Sequence, residues 1–97
     1  MSAITIVAIM KAKTGNAQQL RGIMESMIRP SRGESGCVEY VLHESTDDPE
    51  QFVFYETWQD EAAFQSHIES PHYKQYRLDI EPLIQSREVH RLRKLTS

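Results

Sequence analysis

The stretch QFVFYETW, residues 51–58, is the most strand-prone part of the sequence and decides the fold. β-Branched and aromatic residues dominate it, and successive side chains of a strand point to opposite faces of a sheet. Alternation places four residues on one face: Phe52, Phe54, Glu56 and Trp58. Val53 and Tyr55 lie on the other face. Both faces of this strand therefore present large apolar groups.

The flanking residues predict a hairpin and two further helices. A turn at residues 46–49 joins the stretch to an apolar strand at residues 37–45, so the two strands pair in antiparallel fashion. Asp60 is a good N-cap for a helix, and Ser70 followed by Pro71 starts another helix that extends to Leu83. The last strand is predicted at residues 87–94.

The first third of the chain predicts one strand and one helix. Residues 3–11 are rich in β-branched and apolar residues, which is typical of a strand. Asn16 followed by Gln19 suggests a capping box, after which apolar residues recur at helical spacing up to about Arg29. Pro30 would end this helix, and residues 30–36 have the composition of a loop.

This order of elements predicts a single α+β domain, residues 1–97, with the ferredoxin-like split βαβ fold. In that fold, helices cover one side of a four-stranded antiparallel sheet. On the other side of the sheet, no helix would cover the apolar groups that residues 51–58 present there. Soluble monomeric proteins avoid such an exposed hydrophobic patch. We therefore expect a homodimer that forms through the sheet face.

Composition excludes several classes of partner. The formal net charge is −3, and the basic residues are scattered apart from a C-terminal cluster of Arg87, Arg91, Arg93 and Lys94. We expect this cluster to be a solvated strand or tail, so no nucleic-acid partner is expected. No stretch approaches the ~20 apolar residues of a membrane span. The N-terminal apolar run lacks a preceding basic region, and the lone Cys37 allows no internal disulfide, so we expect a cytoplasmic protein.

The sequence offers no clear metal or nucleotide site. His67 and His72 are five residues apart but separated by Pro71, and no cysteine pair accompanies them. A glycine-rich phosphate loop is also missing. We therefore expect neither a metal nor a cofactor.

Glu56, Trp58 and His67 are the candidate catalytic residues. The helix after residues 51–58 turns His67 inward, so these three side chains would border one cavity that holds little water. An imidazole kept from water stays neutral and can accept a proton near pH 7. An electron-rich phenolate or quinol anion could then pass an electron to O2 without flavin or metal. Candidate substrate-binding residues are His72, Tyr73, Tyr76, Arg77 and Tyr40.

Structural roles remain open for the same residues. His67 could be a hydrogen-bonded core group, and Trp58 a core anchor. Glu56 needs a partner or a shifted pKa, because an isolated buried carboxylate is costly. That partner could be His67, Arg77 or a backbone N–H group.

Four linked motifs resemble the antibiotic-biosynthesis monooxygenase (ABM) family. They are Gly36-Cys37-x-x-Tyr40, Tyr55-Glu56-x-Trp58, Ala63-Phe64-x-x-His67 and Ser70-Pro71-His72-Tyr73. The resemblance implies a dimeric α+β barrel. Family members that resemble this chain include quinol monooxygenases, enzymes that oxidise polyketide phenols, and an isomerase of a phosphorylated signal whose sequence has a stretch similar to Pro71-His72-Tyr73-Lys74. The haem-degrading branch fits less well, because Arg77, His67 and Ala8 stand where its ligand histidine, pocket tryptophan and strand asparagine would fall.

Three hypotheses follow. The first is a cofactor-free monooxygenase acting on a small quinol or phenol, with His67 as base or donor, Trp58 and the tyrosines as cavity wall, and Glu56 orienting His67. The second is an isomerase of a small hydroxy-carbonyl compound, which would use the same base. The third is a non-catalytic dimer that binds a small aromatic molecule.

Overall fold

The computed structural model describes residues 2–95 and has the predicted α+β, ferredoxin-like architecture. Its strands are β1 (Ile4–Ala12), β2 (Cys37–Glu44), β3 (Gln51–Trp58) and β4 (Ile84–Leu92). Its helices are α1 (Ala17–Glu25), α2 (Ile28–Arg32), α3 (Glu61–Ile68) and α4 (Pro71–Ile80), followed by a 3₁₀ turn at Glu81–Leu83. The strands form one antiparallel sheet in the order β2-β3-β1-β4.

The β3 strand lies between β2 and β1 in the sheet and supplies buried side chains to the core. Glu56 pairs with Ile6 of β1 on one side and with Tyr40 of β2 on the other. The four alternating residues expected on one face are all buried beneath the helices: Phe52, Phe54, Glu56 and Trp58. The predicted facing of this strand is therefore confirmed.

The starts of α3 and α4 are also confirmed. The Asp60 carboxylate accepts a hydrogen bond from the backbone N–H of Ala63 at 2.8 Å. The Ser70 hydroxyl accepts one from the backbone N–H of Tyr73 at 3.2 Å, and Pro71 occupies the first helical position. Such caps satisfy N–H groups that have no acceptor within a helix. They also fix which residues of each helix turn toward the sheet.

The prediction for the first helix was wrong at its end. The first helix ends at Glu25, earlier than predicted. Pro30 is the third residue of the separate short helix α2 and does not end the first helix. Proline is tolerated there because the first N–H groups of a helix lack an intrahelical acceptor. Asn16 makes no side-chain capping bond, so the expected capping box is not formed. The loop is thereby shortened to residues 33–36.

The last strand begins three residues earlier than predicted and lies at the edge of the sheet. Both faces of β4 are largely exposed. Arg87 pairs with Met10, and Val89 pairs with Ala8. The side chains of Met10 and Ala8 are buried on the helix side of the sheet. These two residues of β4 therefore border the space between the sheet and the helices.

The other face of the sheet has no helix over it. Its central residues are half-buried apolar side chains: Val7, Ile9, Val53 and Tyr55. This face is the surface through which we expect dimerisation, which stays a prediction. None of the helices in residues 2–95 has the length and apolar character needed to cross a membrane.

Candidate active site

A cavity of about 290 Å³ lies between the helix side of the sheet and helices α3 and α4. Apolar and aromatic side chains form most of its wall. Its wall residues with polar groups are Tyr40, Glu56, His67, Tyr73, Tyr76, Arg77 and Arg87. This volume suits a molecule of about one or two rings, near the lower end of the range for small-molecule sites.

Glu56 presents a proton-exchanging carboxyl group to the cavity. It is 4% exposed, and one of its oxygens accepts a hydrogen bond from the indole N–H of Trp58 at 2.9 Å. Burial raises the pKa of Glu56 to about 7, the Trp58 N–H opposes this rise, and the charge of Glu34 adds to it. The carboxyl group can therefore gain or lose a proton near neutral pH.

Trp58 does not line the cavity, contrary to the expectation that it forms the wall. It is fully buried behind Glu56 and His67, and its ring centroid lies 4.4 Å from that of His67. Its N–H group is already bonded to Glu56 and so is not offered to a ligand. Trp58 therefore acts by positioning these two residues.

His67 borders the cavity and is held by a carboxylate that the sequence did not reveal. The ring is 1% exposed, and its Nδ1 lies 2.8 Å from an oxygen of Glu34. A carboxylate accepts hydrogen bonds, so Nδ1 carries the proton and Nε2 keeps the free lone pair. Burial lowers the pKa of His67, and Glu34 partly opposes this, so burial favours the neutral ring.

The prediction that Glu56 orients His67 was therefore wrong. Glu56 bonds to Trp58, and Glu34 bonds to His67. Glu34 lies in the segment 33–36, which carries no helical or strand periodicity from which its facing could be read.

One signal near Glu34 could have identified it. Gly36 approaches α3 so closely that a Cβ atom there would overlap the Cβ of Ala63. Its carbonyl also accepts a hydrogen bond from the backbone N–H of Gln59 at 2.9 Å. These contacts hold the segment against the helix that carries His67. A glycine just before a strand can thus indicate a close approach of that segment to a neighbouring helix, and here this approach places Glu34 next to His67.

His72 also contacts Glu34 instead of lining the cavity. Its Nε2 lies 2.8 Å from the same Glu34 oxygen, and about a quarter of its side chain is exposed. Pro71 does not keep the two imidazoles apart, because it is the first residue of α4 and the chain turns just before it. One potential ligand atom from each of Glu34, His67 and His72 lies within 4.8 Å of the others. Two imidazoles and a carboxylate are a donor set able to hold a divalent transition metal.

The remaining predicted substrate-binding residues do border the cavity. The Tyr73 hydroxyl accepts hydrogen bonds from Arg77 at 3.4 Å and from Arg87 at 3.2 Å. The Tyr76 hydroxyl and the Nε of Arg77 are buried without a hydrogen-bond partner. Tyr40 packs against Phe54, and burial raises the pKa of both Tyr40 and Tyr76, which keeps the two phenols protonated. Sequence reasoning missed Arg87 because it expected the C-terminal basic cluster to be solvated.

These groups can act together on a small hydroxylated ring. Two groups that can take a proton, Glu56 and His67, line the same cavity as Tyr76 and Arg77, each of which has a buried donor without a hydrogen-bond partner. Donors of this kind stabilise an oxyanion in a site that excludes water. The cavity is thus suited to removing a proton from a weakly acidic hydroxyl group.

Comparison with known proteins gives the same family as the motifs. The family model described as antibiotic biosynthesis monooxygenase matches residues 3–78. A Mycobacterium tuberculosis protein named "Putative monooxygenase Rv0793" is 34% identical over 83 residues, covering 86% of this chain and 81% of that protein. An uncharacterised Synechocystis protein is 27% identical over 75% of this chain, which spans only half of that protein's length.

A solved structure shares the same fold. The crystal structure of PA3566 from Pseudomonas aeruginosa superposes with a TM-score of 0.94 at 30% identity, covering 99% of this chain and 97% of that one. The family match spans most of the sequence, including the four motifs up to Tyr73. The chain belongs to the antibiotic biosynthesis monooxygenase family.

Proposed function

We propose that this protein is a cofactor-independent monooxygenase that oxidises a small quinol or phenolic compound with O2. The observation that carries the proposal is the hydrogen bond between Glu34 and the buried His67, with the histidine bordering a ring-sized aromatic cavity that Glu56 also lines. Family membership and the name given to the Mycobacterium tuberculosis relative support oxidation as the reaction class.

The first step is removal of the substrate's hydroxyl proton. Nε2 of His67 accepts it, and Glu34 stabilises the imidazolium through the Nδ1 hydrogen bond. The Tyr76 hydroxyl and Arg77 donate to the resulting oxyanion. Glu56, with a pKa of about 7, exchanges the second proton as oxidation proceeds.

The oxidation step draws all its electrons from the substrate. The quinol anion passes one electron to O2, and the resulting radical and superoxide combine to form a carbon–oxygen bond. Cleavage of the O–O bond then releases one oxygen atom as water and leaves the other in the product. A hydroquinone plus O2 thus yields a hydroxyquinone plus water, with atoms and electrons in balance.

Oxygen consumption and isotope incorporation test this proposal. We expect O2 uptake with a panel of hydroquinones and transfer of one ¹⁸O atom from ¹⁸O₂ into the product. His67→Ala should slow uptake by about 10²–10⁴-fold, the usual contribution of a general base. The exposed His90 provides a matched control, because His90→Ala removes an imidazole that does not border the cavity. Undiminished uptake in His67→Ala, or unlabelled product, would contradict the proposal.

A proton-moving isomerase is the second candidate. Arg77 and Arg87 border the cavity, yet neither forms an ion pair within residues 2–95. Uncompensated guanidinium groups favour an anionic substrate such as a phosphorylated hydroxy-carbonyl compound. Solvent deuterium entering such a substrate under anaerobic conditions would support the isomerase, whereas dependence on O2 supports the oxidation.

A non-catalytic binder has less support. That hypothesis expected a filled cavity in which His67 and Glu56 satisfy each other. Instead, the cavity has a volume of about 290 Å³, and each of the two residues bonds to another partner.

We also propose that the protein is a homodimer. The half-buried apolar residues of the open sheet face support pairing with a second copy. Light scattering should give twice the mass of one chain at micromolar concentration, and a stable monomer would contradict it.

A further inference from the structure

We propose that Glu34, His67 and His72 form a binding site for a divalent transition-metal ion such as Zn²⁺ or Co²⁺. The site lies beside the cavity, since only His67 of the three borders it. It is built from three separate parts of the fold: the segment before β2, the last turn of α3 and the first turn of α4.

The spacing of the donor atoms fits such an ion. One Glu34 oxygen lies 2.8 Å from His67 Nδ1 and 2.8 Å from His72 Nε2, and all three atoms lie within 4.8 Å of one another. Metal–ligand bonds of about 2.1 Å separate neighbouring ligand atoms by about 3.0 Å in octahedral and about 3.4 Å in tetrahedral geometry. Binding would therefore lengthen the two Glu34–imidazole distances by a few tenths of an ångström and bring the two imidazole nitrogens, which lie within 4.8 Å of each other, to a similar separation.

The donor types select the class of metal. Imidazole nitrogens suit zinc, cobalt and iron, whereas magnesium and calcium prefer sites made of oxygen atoms. Three protein ligands leave at least one position for water, as in open zinc sites. A solvent route exists, because the side chains of Glu34 and His72 are 17% and 27% exposed.

The surrounding structure holds the ligands in place before any ion binds. The close contact between Gly36 and Ala63 fixes the segment that carries Glu34. Packing of His67 against Trp58 fixes one ring, and the Ser70 cap fixes the helix start that carries His72. Preorganised ligands reduce the entropy cost of binding.

Metal binding would also change what His67 offers to the cavity. A neutral imidazole that coordinates through Nδ1 carries its proton on Nε2, so the atom toward the substrate becomes a donor. This consequence rests on the proposed function, in which Nε2 acts as the base. The metal-bound protein would then be the less active form, and the metal a regulator of the oxidation.

Titration with Co²⁺ and Zn²⁺ tests the site independently of activity. The protein, without a polyhistidine tag and stripped with a chelator, should bind one Co²⁺ per chain with visible d–d absorption that Zn²⁺ abolishes. His72→Ala and Glu34→Gln should each weaken Co²⁺ binding at least about 10-fold. His90→Ala is the matched control, because His90 pairs with Glu88 at 3.3 Å on the surface and should leave affinity unchanged.

Two results would overturn the site. One is the absence of a stoichiometric Co²⁺ spectrum, and the other is equal loss of affinity in His72→Ala and His90→Ala. If the variants misfold, nitrogen-15 spectra of the wild-type histidines still decide, since Zn²⁺ must shift Nδ1 of His67 and Nε2 of His72. Absence of O2 uptake by the metal-free protein, together with a Co²⁺ spectrum that arises from this cluster, would reject the proposed function alone. Uptake unaffected by saturating Zn²⁺ would reject the regulatory role.

Discussion

Replacing Glu56 with glutamine should change how the stability of the folded protein depends on pH. Glu56 is 4% exposed, and burial raises its pKa from the ordinary 4.5 to about 7. The folded state therefore holds this proton more tightly than the unfolded state. Above pH 4.5, unfolding releases the proton, so the contribution of Glu56 to stability falls as the pH rises toward 7 and is constant beyond it.

The size of this effect follows from the two pKa values. Each pKa unit corresponds to about 1.4 kcal/mol, so the difference between 4.5 and about 7 amounts to about 3 kcal/mol. Domains have a total stability of about 5–15 kcal/mol, so the change is measurable. His67 acts in the opposite direction, because burial lowers its pKa and its stabilising contribution is lost as the pH falls below its ordinary 6.5. Comparing wild type with Glu56→Gln cancels this effect, since both contain His67.

Urea unfolding followed by the fluorescence of Trp58, the single tryptophan, measures the difference. Between about pH 5 and about pH 8, the wild type should lose about 2 kcal/mol more than Glu56→Gln at the same protein concentration. With a urea dependence of about 1–3 kcal/mol/M, the midpoint should move by about 1 M. Glu69→Gln, at an exposed carboxylate, is the matched control and should follow the wild-type profile. Parallel profiles for wild type and Glu56→Gln would refute the assigned pKa and its cause.

Three further substitutions test other parts of the site. Gly36→Ala should lower stability by about 1–3 kcal/mol because its Cβ overlaps that of Ala63, and Ala63→Gly should restore part of the loss in urea unfolding. Tyr76→Phe should raise the free energy of unfolding by about 1–3 kcal/mol, because the buried hydroxyl has no partner, yet weaken binding of a hydroquinone in calorimetry. Arg87→Gln should weaken binding of a carboxylated hydroquinone about 10-fold more than Arg93→Gln, which removes the same charge outside the cavity; equal effects would place the anion elsewhere.

The sheet and its facing could be predicted because both depend on local patterns. Alternation in residues 51–58 specifies a buried face, and the caps at Asp60 and Ser70 set the phase of the following helices. The inward turn of His67 then follows from helical periodicity alone.

The partners within the site could not be predicted in the same way. Glu34 lies in an irregular segment whose side chains have no periodic facing. It is separated from His67 by 33 positions in the sequence, so only the folded chain brings the two together. Glu56 and Trp58 lie two residues apart on the same face of one strand. The alternation of the strand therefore permits a hydrogen bond between them, but it does not indicate that Glu56 bonds to Trp58 and not to His67. Arg87 lies on an edge strand within a cluster of basic residues, and that charge pattern suggested a solvated residue.

Unsatisfied polar groups give a physical reason to regard the cavity as a binding site. Within residues 2–95, three buried side-chain atoms lack a hydrogen-bond partner, and two of them, the Tyr76 hydroxyl and the Nε of Arg77, belong to residues that border the cavity. Each such group costs about 1–3 kcal/mol, a large share of the stability of a small domain. Apolar residues at these positions would fill the space and remove the cost. A ligand whose oxygen atoms accept from these donors supplies the missing partners, so the same groups that weaken the free protein would strengthen its complex.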